Sequence, residues 1–562
     1  MTILPINATA TATITAYSAY ACSKCVNVCE GGIVEEERCR GVNVFDHPRT
    51  NGPCLKSLHE DSSEQSTEYW VNKAQNILAE KLKQTSRLNT NRAKNIILFL
   101  GDGMSVQTTT ATRAFLGDSS EQVYFDRFPY TGLSKTYAVD KRVPDSASTA
   151  TAYLSGVKGN YGTIGVNAQV PKYDCDLAAD PSTHTESIAK WAQDAGKWTG
   201  LVTTARVTHA SPAGVYGHTA QRGWEYDAAI EKDGCSATKN VDIARQLVEW
   251  PVGKGLRVIM GGGRRNFIDE SYSDEEEVEG RRTDGRNLIE EWLEDKREQC
   301  VRAKYVWNKE GLNNVDFNDT KYLLGLFASS HCPYHGDLER KNLTDSVPSL
   351  SEMTQAAIEL LSQSEEGYFL FVEGARIDMA HHVTRAHLSL EETAEFARAV
   401  ELARNLTSEE DTLIVVTADH SHTMTINGYP TRGSDIFGLA PANADDDLPY
   451  TILSYANGPG FSKTYSSKNG RKDLSDADLG DPSYKYMATV PLESETHGGD
   501  DVAVYASGPY EHYFSGNYEQ SNIPALMAYA ANIGPFQQST LITKVNLTEK
   551  YARSIPKRLV KL

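Results

Sequence analysis

Several side chains in this sequence have the chemistry of metal ligands and occupy equivalent positions. Four motifs stand directly after a short, strongly apolar run, and their candidate ligands are Asp102, His209 with Ser211, Glu373, and Asp419 with His420. Carboxylates and imidazoles suit zinc, whereas oxygen donors suit magnesium. One such residue would usually be a helix cap or a solvated loop residue. Four equivalent placements instead favour a shared metal site.

A second candidate for chemistry is the stretch VPDSASTATA at 143–152. Asp145 can cap a helix of small residues that ends at Gly156, which places the Ser146 hydroxyl and free backbone N–H groups at the helix N-terminus. Such a terminus can hold an anion beside a nucleophile. Taken alone, the stretch fits an ordinary capped helix equally well.

These motifs need strands and helices to position them. Apolar, β-rich runs that indicate buried strands lie at 95–100, 198–207, 256–260, 367–372 and 411–418. Between them, Thr183 with Glu186 predicts a capping box, and residues 349–364 repeat apolar positions at helical spacing. We therefore predict an α/β fold with a large, mostly parallel central sheet and helices on both faces. Ligands of such sheets bind beyond the carboxyl ends of the strands, so the four motifs converge if their strands are neighbours.

The character of the chain changes along its length. Residues 1–70 form a Cys- and Thr-rich extension without apolar periodicity, residues 71–545 are predicted to form one catalytic domain, and residues 546–562 form a tail. Within the domain, residues 430–492 are rich in Gly, Pro, Asp and Ser and predict either an inserted, crown-like subdomain or long loops.

Composition narrows the function classes. The 562-residue chain carries a formal net charge of −19, which argues against a nucleic-acid partner. It has no run of eighteen apolar residues, a poor signal-peptide pattern at its start and no hydrophobic tail of the kind that a GPI-anchor signal requires. Nine cysteines, among which Cys300 and Cys332 are candidates for a pair, favour an extracellular protein together with sequons at Asn7, Asn318, Asn342, Asn405 and Asn546.

The stretch around Ser146 resembles the nucleophile signature of the alkaline phosphatase family. Other motifs of that family are resembled, in the same order, by LGDGM (100–104), TTARVTHASPAGVYGHT (203–219), VEGARIDMAHH (372–382), VTADHSHT (416–423) and ETHGGDDVAVYASGP (495–509). The resemblance covers about residues 71–535 and is stronger to the animal-type branch. Met379 is a departure, since animal members often have His there.

The resemblance implies a role for each site residue. Ser146 would be the nucleophile and Arg222 the group that grips two phosphate oxygens. Two zinc ions and one magnesium ion would be held by three sets: Asp378, His382 and His497; Asp102, Asp419 and His420; and Asp102, Ser211 and Glu373, with His209 nearby. His381 and His422 adjoin ligands, and the sequence leaves open whether they support the site or only pack.

The resemblance also implies an activity and partners. The expected reaction is hydrolysis of a broad range of phosphate monoesters through a phosphoserine intermediate. A homodimer is expected, with Tyr429 directed toward the partner's site, at the outer face of the plasma membrane or in the extracellular space. A Cys175–Cys235 disulfide and a structural calcium near Asp284 are further expectations.

Two other functions remain to be weighed. A phosphodiesterase, nucleotide pyrophosphatase or phosphoglycerate mutase of the same superfamily would share the two-metal core, but Arg222 and the pair Ser211 and Glu373 argue against it. A catalytically inactive surface binding paralogue would not need the complete set of ligands.

Overall fold

The computed structural model describes residues 69, 71–77 and 88–538. The predicted N-terminal extension, almost in its entirety, and the C-terminal tail lie outside these ranges. None of the described helices is both long enough and apolar enough to cross a membrane.

The strands, numbered in chain order, are short and mostly buried. They are β1 Asn95–Gly101, β2 Tyr130–Lys135, β3 Trp198–Arg206, β4 Leu256–Gly262, β5 Ala303–Val306, β6 Tyr322–Leu326, β7 Tyr368–Gly374, β8 Thr412–Ala418, β9 Ser421–His422, β10 Met424–Ile426, β11 Leu453–Gly458, β12 Tyr465–Ser466, β13 Gly470–Arg471, β14 Ala488–Pro491, β15 His497–Gly498, β16 Val502–Ser507 and β17 Gly516–Glu519.

The α-helices lie between these strands, except for the last, which follows β17. They are α1 Val106–Leu116, α2 Ser146–Ser155, α3 Cys175–Ala178, α4 Ile188–Asp194, α5 Ala210–Ala213, α6 Asp227–Lys232, α7 Ile243–Glu249, α8 Pro251–Gly255, α9 Leu288–Glu298, α10 Lys309–Asn313, α11 His335–Arg340, α12 Leu350–Leu361, α13 Arg376–His382, α14 Ala386–Asn405, α15 Phe461–Thr464 and α16 Ile523–Ala531.

The central sheet has ten strands in the order β17-β2-β16-β8-β1-β7-β3-β4-β6-β5. From β8 to β5 every neighbouring pair is parallel, whereas β16 runs antiparallel to both β8 and β2. The predicted fold class, a mostly parallel sheet, is therefore confirmed. All five runs expected to be strands form strands of this sheet, namely β1, β3, β4, β7 and β8.

Apolar side chains of β1 are buried on both faces of the sheet. Ile96 and Leu98 join one core with α2, α4 and α16, and Ile97 and Phe99 join another with α12 and α14. Because successive residues of a strand point to opposite faces, an uninterrupted apolar run marks a strand that is covered on both sides.

One predicted helix start is wrong. Helix α4 begins after Ser187, whose side chain accepts a hydrogen bond from the Lys190 N–H at 3.4 Å. Thr183 instead ends a short 3-10 turn that begins at Pro181 and is capped by Asp180. The chain leaves that turn in an extended conformation, so Thr183 cannot cap α4. The other predicted helix is confirmed, with Ser349 capping α12.

Residues 430–492 contain little regular structure. Two of the three strands in a small separate sheet lie here, β11 and β14, and β10 completes it just before residue 430. Their buried side chains form a third core that includes residues of α1 and α14. The crown subdomain remains a prediction as a domain boundary.

The cysteines follow the resemblance in one case only. Cys175 and Cys235 form a disulfide with a Cα–Cα distance of 5.7 Å. Cys300 is exposed and Cys332 is buried, and both are free thiols. The suggested Cys300–Cys332 pair is therefore wrong, because one side chain faces solvent and the other packs inside the fold.

Candidate metal centre

The four ligand-bearing strands lie side by side. β8, β1, β7 and β3 are consecutive neighbours in the sheet, and all four run parallel. Glu373 pairs with Leu100 on β1 and with Thr203 on β3, so it stands level with the ends of its neighbours. The carboxyl ends of these strands thus bring together Asp102, His209, Glu373 and Asp419, as the sequence predicts.

One set of ligands surrounds Ser146. The His420 Nε2 atom lies 3.1 Å from Asp419 Oδ2 and 3.5 Å from Asp102 Oδ1. The Ser146 hydroxyl oxygen is 3.3 Å from the same nitrogen and 3.5 Å from Asp102 Oδ1. All four residues are buried, and the three ligand atoms can share one metal ion.

A second set lies on and next to α13. Asp378 Oδ1 is 3.3 Å from His382 Nε2 and 3.4 Å from His497 Nε2, and the two nitrogens are 3.1 Å apart. Asp378 and His382 are four residues apart on one helix face, and His497 arrives from β15. One carboxylate and two imidazoles are a donor set that zinc accepts.

Three buried oxygens form the third set. Asp102 Oδ2, Ser211 Oγ and Glu373 Oε1 are buried without a hydrogen-bond partner in the described part of the chain. Ser211 and Asp102 both lie close enough to Glu373 to act on its carboxyl group. Buried polar atoms normally have partners, so three such oxygens close together indicate a cation. His209 Nδ1 is also unpartnered, while its Nε2 lies 3.3 Å from Arg222 Nη2.

The concentration of carboxylates shifts their titration. Burial, together with the charges of Asp419, Asp378 and Glu373, raises the pKa of Asp102 well above its usual value. Burial and the charge of Asp419 likewise raise the pKa of Glu373 to about 8. A bound cation would remove the repulsion between these carboxylates and stabilise their ionised form, so the raised pKa values support a cation site here.

Helix α2 presents Ser146 as expected. Asp145 caps the helix by accepting the Ser148 N–H at 3.2 Å, and Gly156 ends it in a left-handed conformation with φ of 73°. The second carboxylate oxygen of Asp145 accepts from Arg222 Nη1 at 3.0 Å. The capping residue therefore also fixes Arg222 beside the nucleophile, a contact that the sequence analysis missed.

His422 and Glu495 form a support that the sequence left open or missed. His422 lies between two carboxylates, 2.7 Å from Asp378 Oδ1 and 2.5 Å from Glu495 Oε2. Burial opposes its charge, but these partners raise the pKa of His422 to about 10. The Glu495 carbonyl also accepts from His382 Nδ1 at 2.5 Å. The acidic residue two positions before His497 was the available signal.

His381, by contrast, forms no hydrogen bond to a candidate ligand among the described residues, although its ring lies 4.8 Å from that of His422. Its ring nitrogens bond to hydroxyl groups of Thr108, Ser389 and Tyr455, none of which is a ligand.

The residues expected outside the centre lie as follows. Both Asp284 oxygens accept from the buried Arg282, at 3.0 Å for Nε to Oδ1, and Arg282 also binds Asp242. A guanidinium thus already balances Asp284, so these residues do not fit a calcium ion. Tyr429 has positive φ of 53° and an exposed side chain.

Comparisons with known proteins agree with this geometry. Residues 93–533 match the protein family described as alkaline phosphatase. The chain is 46% identical over 484 residues to a membrane-bound alkaline phosphatase of Bombyx mori, covering 84% of this chain and 87% of that protein. It is 46% identical over 498 residues to the tissue-nonspecific alkaline phosphatase of Gallus gallus, covering 86% and 92%.

Solved structures show the same fold at lower identity. The alkaline phosphatase of Thermus thermophilus superposes with a TM-score of 0.56 at 22% identity, covering 82% of this chain and 96% of that one. The enzyme of the Antarctic bacterium TAB5 gives 0.53 at 22% identity, with coverages of 79% and 99%.

Proposed function

The chain belongs to the alkaline phosphatase family and is a hydrolase of phosphate monoesters, and on that premise we propose the role of each site residue. Ser146 is the nucleophile, Arg222 binds the phosphate, and the three donor sets hold metal ions. The observation that carries this proposal is the position of the Ser146 hydroxyl at the capped start of α2. Its oxygen lies 3.3 Å from His420 Nε2 and 3.5 Å from Asp102 Oδ1.

The family depends on metal ions, and the chemistry of the donors supports particular ones. Asp378, His382 and His497 suit one zinc ion, and Asp102, Asp419 and His420 suit a second. Asp102, Ser211 and Glu373 offer only oxygen and suit magnesium, with His209 placed to hold a water. When bound, such ions act as Lewis acids that favour serine ionisation and neutralise the departing oxygen.

The protein's own groups orient the reaction. Arg222 grips two phosphate oxygens through its planar fork, and Asp145 keeps that fork in place. The Ser146 oxygen attacks phosphorus as the bond to the alcohol oxygen breaks, and a phosphoserine forms. Water then attacks phosphorus, the bond to Ser146 breaks, and the serine recovers its proton. Because the protein contacts mainly the phosphoryl group, a broad range of monoesters is expected.

Trapping the intermediate tests the nucleophile. Incubation with labelled phosphate at mildly acidic pH, followed by peptide mapping, is expected to place the label on Ser146 alone. Ser146→Ala should lose the label and nearly all turnover of p-nitrophenyl phosphate. Label on Ser148 or Thr149, or most of the turnover surviving in Ser146→Ala, would reject the assignment.

The setting of the protein follows from the same relatives and from its surface. A location outside the cell, either in the extracellular space or at the outer face of the plasma membrane, fits the Cys175–Cys235 disulfide. It also fits the exposed sequon residues Asn318, Asn342 and Asn405. Glycans at these positions and a homodimer in which the exposed Tyr429 faces the partner are part of the proposal. Light scattering at micromolar concentration, before and after glycosidase treatment, measures both; a fully active monomer would reject the dimer.

A further inference from the structure

A group of basic side chains continues from Arg222 away from the ligands. His209 Nε2 lies 3.3 Å from Arg222 Nη2, and the His209 ring meets the His331 ring edge-on with centroids 5.3 Å apart. His331 in turn contacts Arg206 through both ring nitrogens. Contacts therefore connect the phosphate-binding guanidinium to the surroundings of His331.

Two further arginines lie close to His331. Burial, with the positive charges of Arg206, Arg376 and Arg265, lowers the pKa of His331 to about 2. The backbone N–H of Arg265 donates to the Ser329 carbonyl at 3.3 Å, two residues before His331. Arg376 opens α13, the helix that carries Asp378 and His382. Arg376 thus belongs to an element that builds the metal centre, whereas Arg265 reaches the segment of His331 from the 3-10 turn that follows β4.

These arginines differ in how their charge is balanced. Arg206 is neutralised by a bidentate pair with Glu225, at 2.8 and 2.6 Å. Within residues 88–538, Arg265 and Arg376 take part in no ion pair with a carboxylate, and each has a buried Nε without a hydrogen-bond partner. Both residues are only partly buried, so part of each side chain stays exposed to solvent and can meet an anion, in a chain whose net charge is −19.

Arg376 is held in place without losing its charge. Its guanidinium stacks 3.7 Å from the centre of the Tyr334 ring, and Nη1 lies 2.9 Å from the Met379 sulfur. The nearby carboxyl group of Glu392 is buried, which raises its pKa to about 8. At neutral pH Glu392 is therefore largely protonated and does not offset Arg376.

We propose that Arg265, Arg376 and His331 form a subsite, the arginine patch, for a second phosphate group carried by the alcohol half of the substrate. The patch rests on the proposed function, since it needs a phosphoryl group held by Arg222 nearby. Its consequence is a preference for bisphosphorylated substrates over monoesters of uncharged alcohols. Arg265 and Arg376 supply the N–H donors, and planar guanidinium groups suit phosphate oxygens.

A pair of substrates isolates the second phosphate. Butane-1,4-diol bisphosphate and butyl phosphate share a reacting end and differ at the far end. The measured quantity is the ratio of their kcat/KM values, corrected twofold for two equivalent ends. We expect a ratio of about ten or more in the unchanged protein, and a fall of about tenfold in Arg265→Gln and in Arg376→Gln, as for a lost charge-assisted hydrogen bond.

The ratio separates recognition from general damage. In a misfolded or metal-poor variant the kcat/KM values for both substrates fall by the same factor, so their ratio does not change. Arg376→Lys keeps the positive charge and should therefore retain part of the ratio. Arg297→Gln is the matched control, because Arg297 is exposed on α9, pairs with Glu294 and carries the same charge. Its ratio should equal that of the unchanged protein.

The outcomes are distinct for the two proposals. If the ratio is near one in the unchanged protein, or is the same in Arg265→Gln, Arg376→Gln and Arg297→Gln, the arginine patch is rejected while butyl phosphate turnover still supports the proposed function. If butyl phosphate turnover survives in Ser146→Ala, the proposed function itself fails.

Discussion

Around Asp102 the site is built from carboxylate oxygens, whereas around Asp378 imidazole nitrogens predominate. The carboxylate half comprises Asp102, Glu373 and Asp419, all fully buried. The imidazole half comprises Asp378, His382 and His497, and the side chain of His382 is 30% exposed. The two halves share a sheet edge but not a source of positive charge.

The difference lies in what balances each half. His422 stands between Asp378 and Glu495 and provides a cation of the protein's own. The carboxylate half has Arg222 only at its margin, bound to Asp145, and the pKa values of Asp102 and Glu373 rise instead. Burial opposes the charge of Asp419 as well, but His420 next to it holds the pKa of Asp419 below its usual value. The carboxylate half therefore depends on bound ions for its charge balance, while the imidazole half is partly balanced without them.

The strongest test removes the charge of Asp102, the carboxylate shared between two donor sets. Asp102→Asn should lower kcat/KM for p-nitrophenyl phosphate on the order of 10³-fold, because a neutral amide weakens two ion sites at once and stabilises less charge in the transition state. Asp476→Asn, an exposed position, is the control. Elemental analysis of the Asp102 variant should show loss from more than one site; a full metal content would contradict a shared ligand.

Removing the protein's cation next to the carboxylate half should cost less. Arg222→Ala is expected to raise KM and the inhibition constant for phosphate more than it lowers kcat, since the arginine binds phosphate in ground and transition states alike. The free energy of phosphate binding should weaken by about 1.5–3 kcal/mol, as for a charge-assisted hydrogen bond. Steady-state kinetics, measured with and without phosphate as inhibitor, separate the effect on KM and on the inhibition constant from the effect on kcat. A thousandfold fall in kcat at constant KM would assign Arg222 a different role.

Glu495 supports the imidazole half through His422, so substituting it should weaken the binding of a metal ion there. Glu495→Gln keeps the side-chain shape but removes the charge that holds His422, so affinity at the Asp378 set should fall roughly tenfold or more. Release of zinc to a chelator, followed by absorbance, measures it, and excess zinc should restore turnover. The exposed Glu493→Gln controls for charge alone. Equal release rates in both variants would show that Glu495 does not position the ligands.

The smallest expected effect is on the free energy of unfolding of the metal-free protein. It depends on pH through the carboxylate half, because Glu373 belongs to that half. In metal-free protein the raised pKa of Glu373, about 8 when folded, means that the folded state holds a proton that the unfolded state has lost. Stability from this group is full below its usual pKa of 4.5 and is lost as the pH rises toward 8.

Calorimetry after chelation should therefore give a Tm lower by several degrees at pH 8 than at pH 5, and Glu373→Gln should flatten that slope. Protein loaded with metal ions should show a weaker dependence, because the ions keep the carboxylates ionised. An identical slope in Glu373→Gln would trace the effect to other groups.

Much of the fold could be predicted because its signals are local. The uninterrupted apolar run before Asp102 marks a strand buried on both faces, and Asp145 before a run of small residues marks a helix start. Both patterns depend on neighbours in the sequence, and both were confirmed. The capping box at Thr183 failed because Pro181 and Asp180 form a competing turn just before it.

The sequence by itself determined which residue follows each strand and, through ordered motifs, which family the chain resembles. Only the tertiary structure decided that β8, β1, β7 and β3 are neighbours and that Glu495 reaches His422 across 73 positions. It also decided that Arg265 and Arg376 lie near His331 and form no ion pair with a carboxylate of residues 88–538. Side-chain period and capping are properties of a few consecutive residues. Strand order and the balance of buried charge depend on packing among segments far apart in the chain, which no local pattern records.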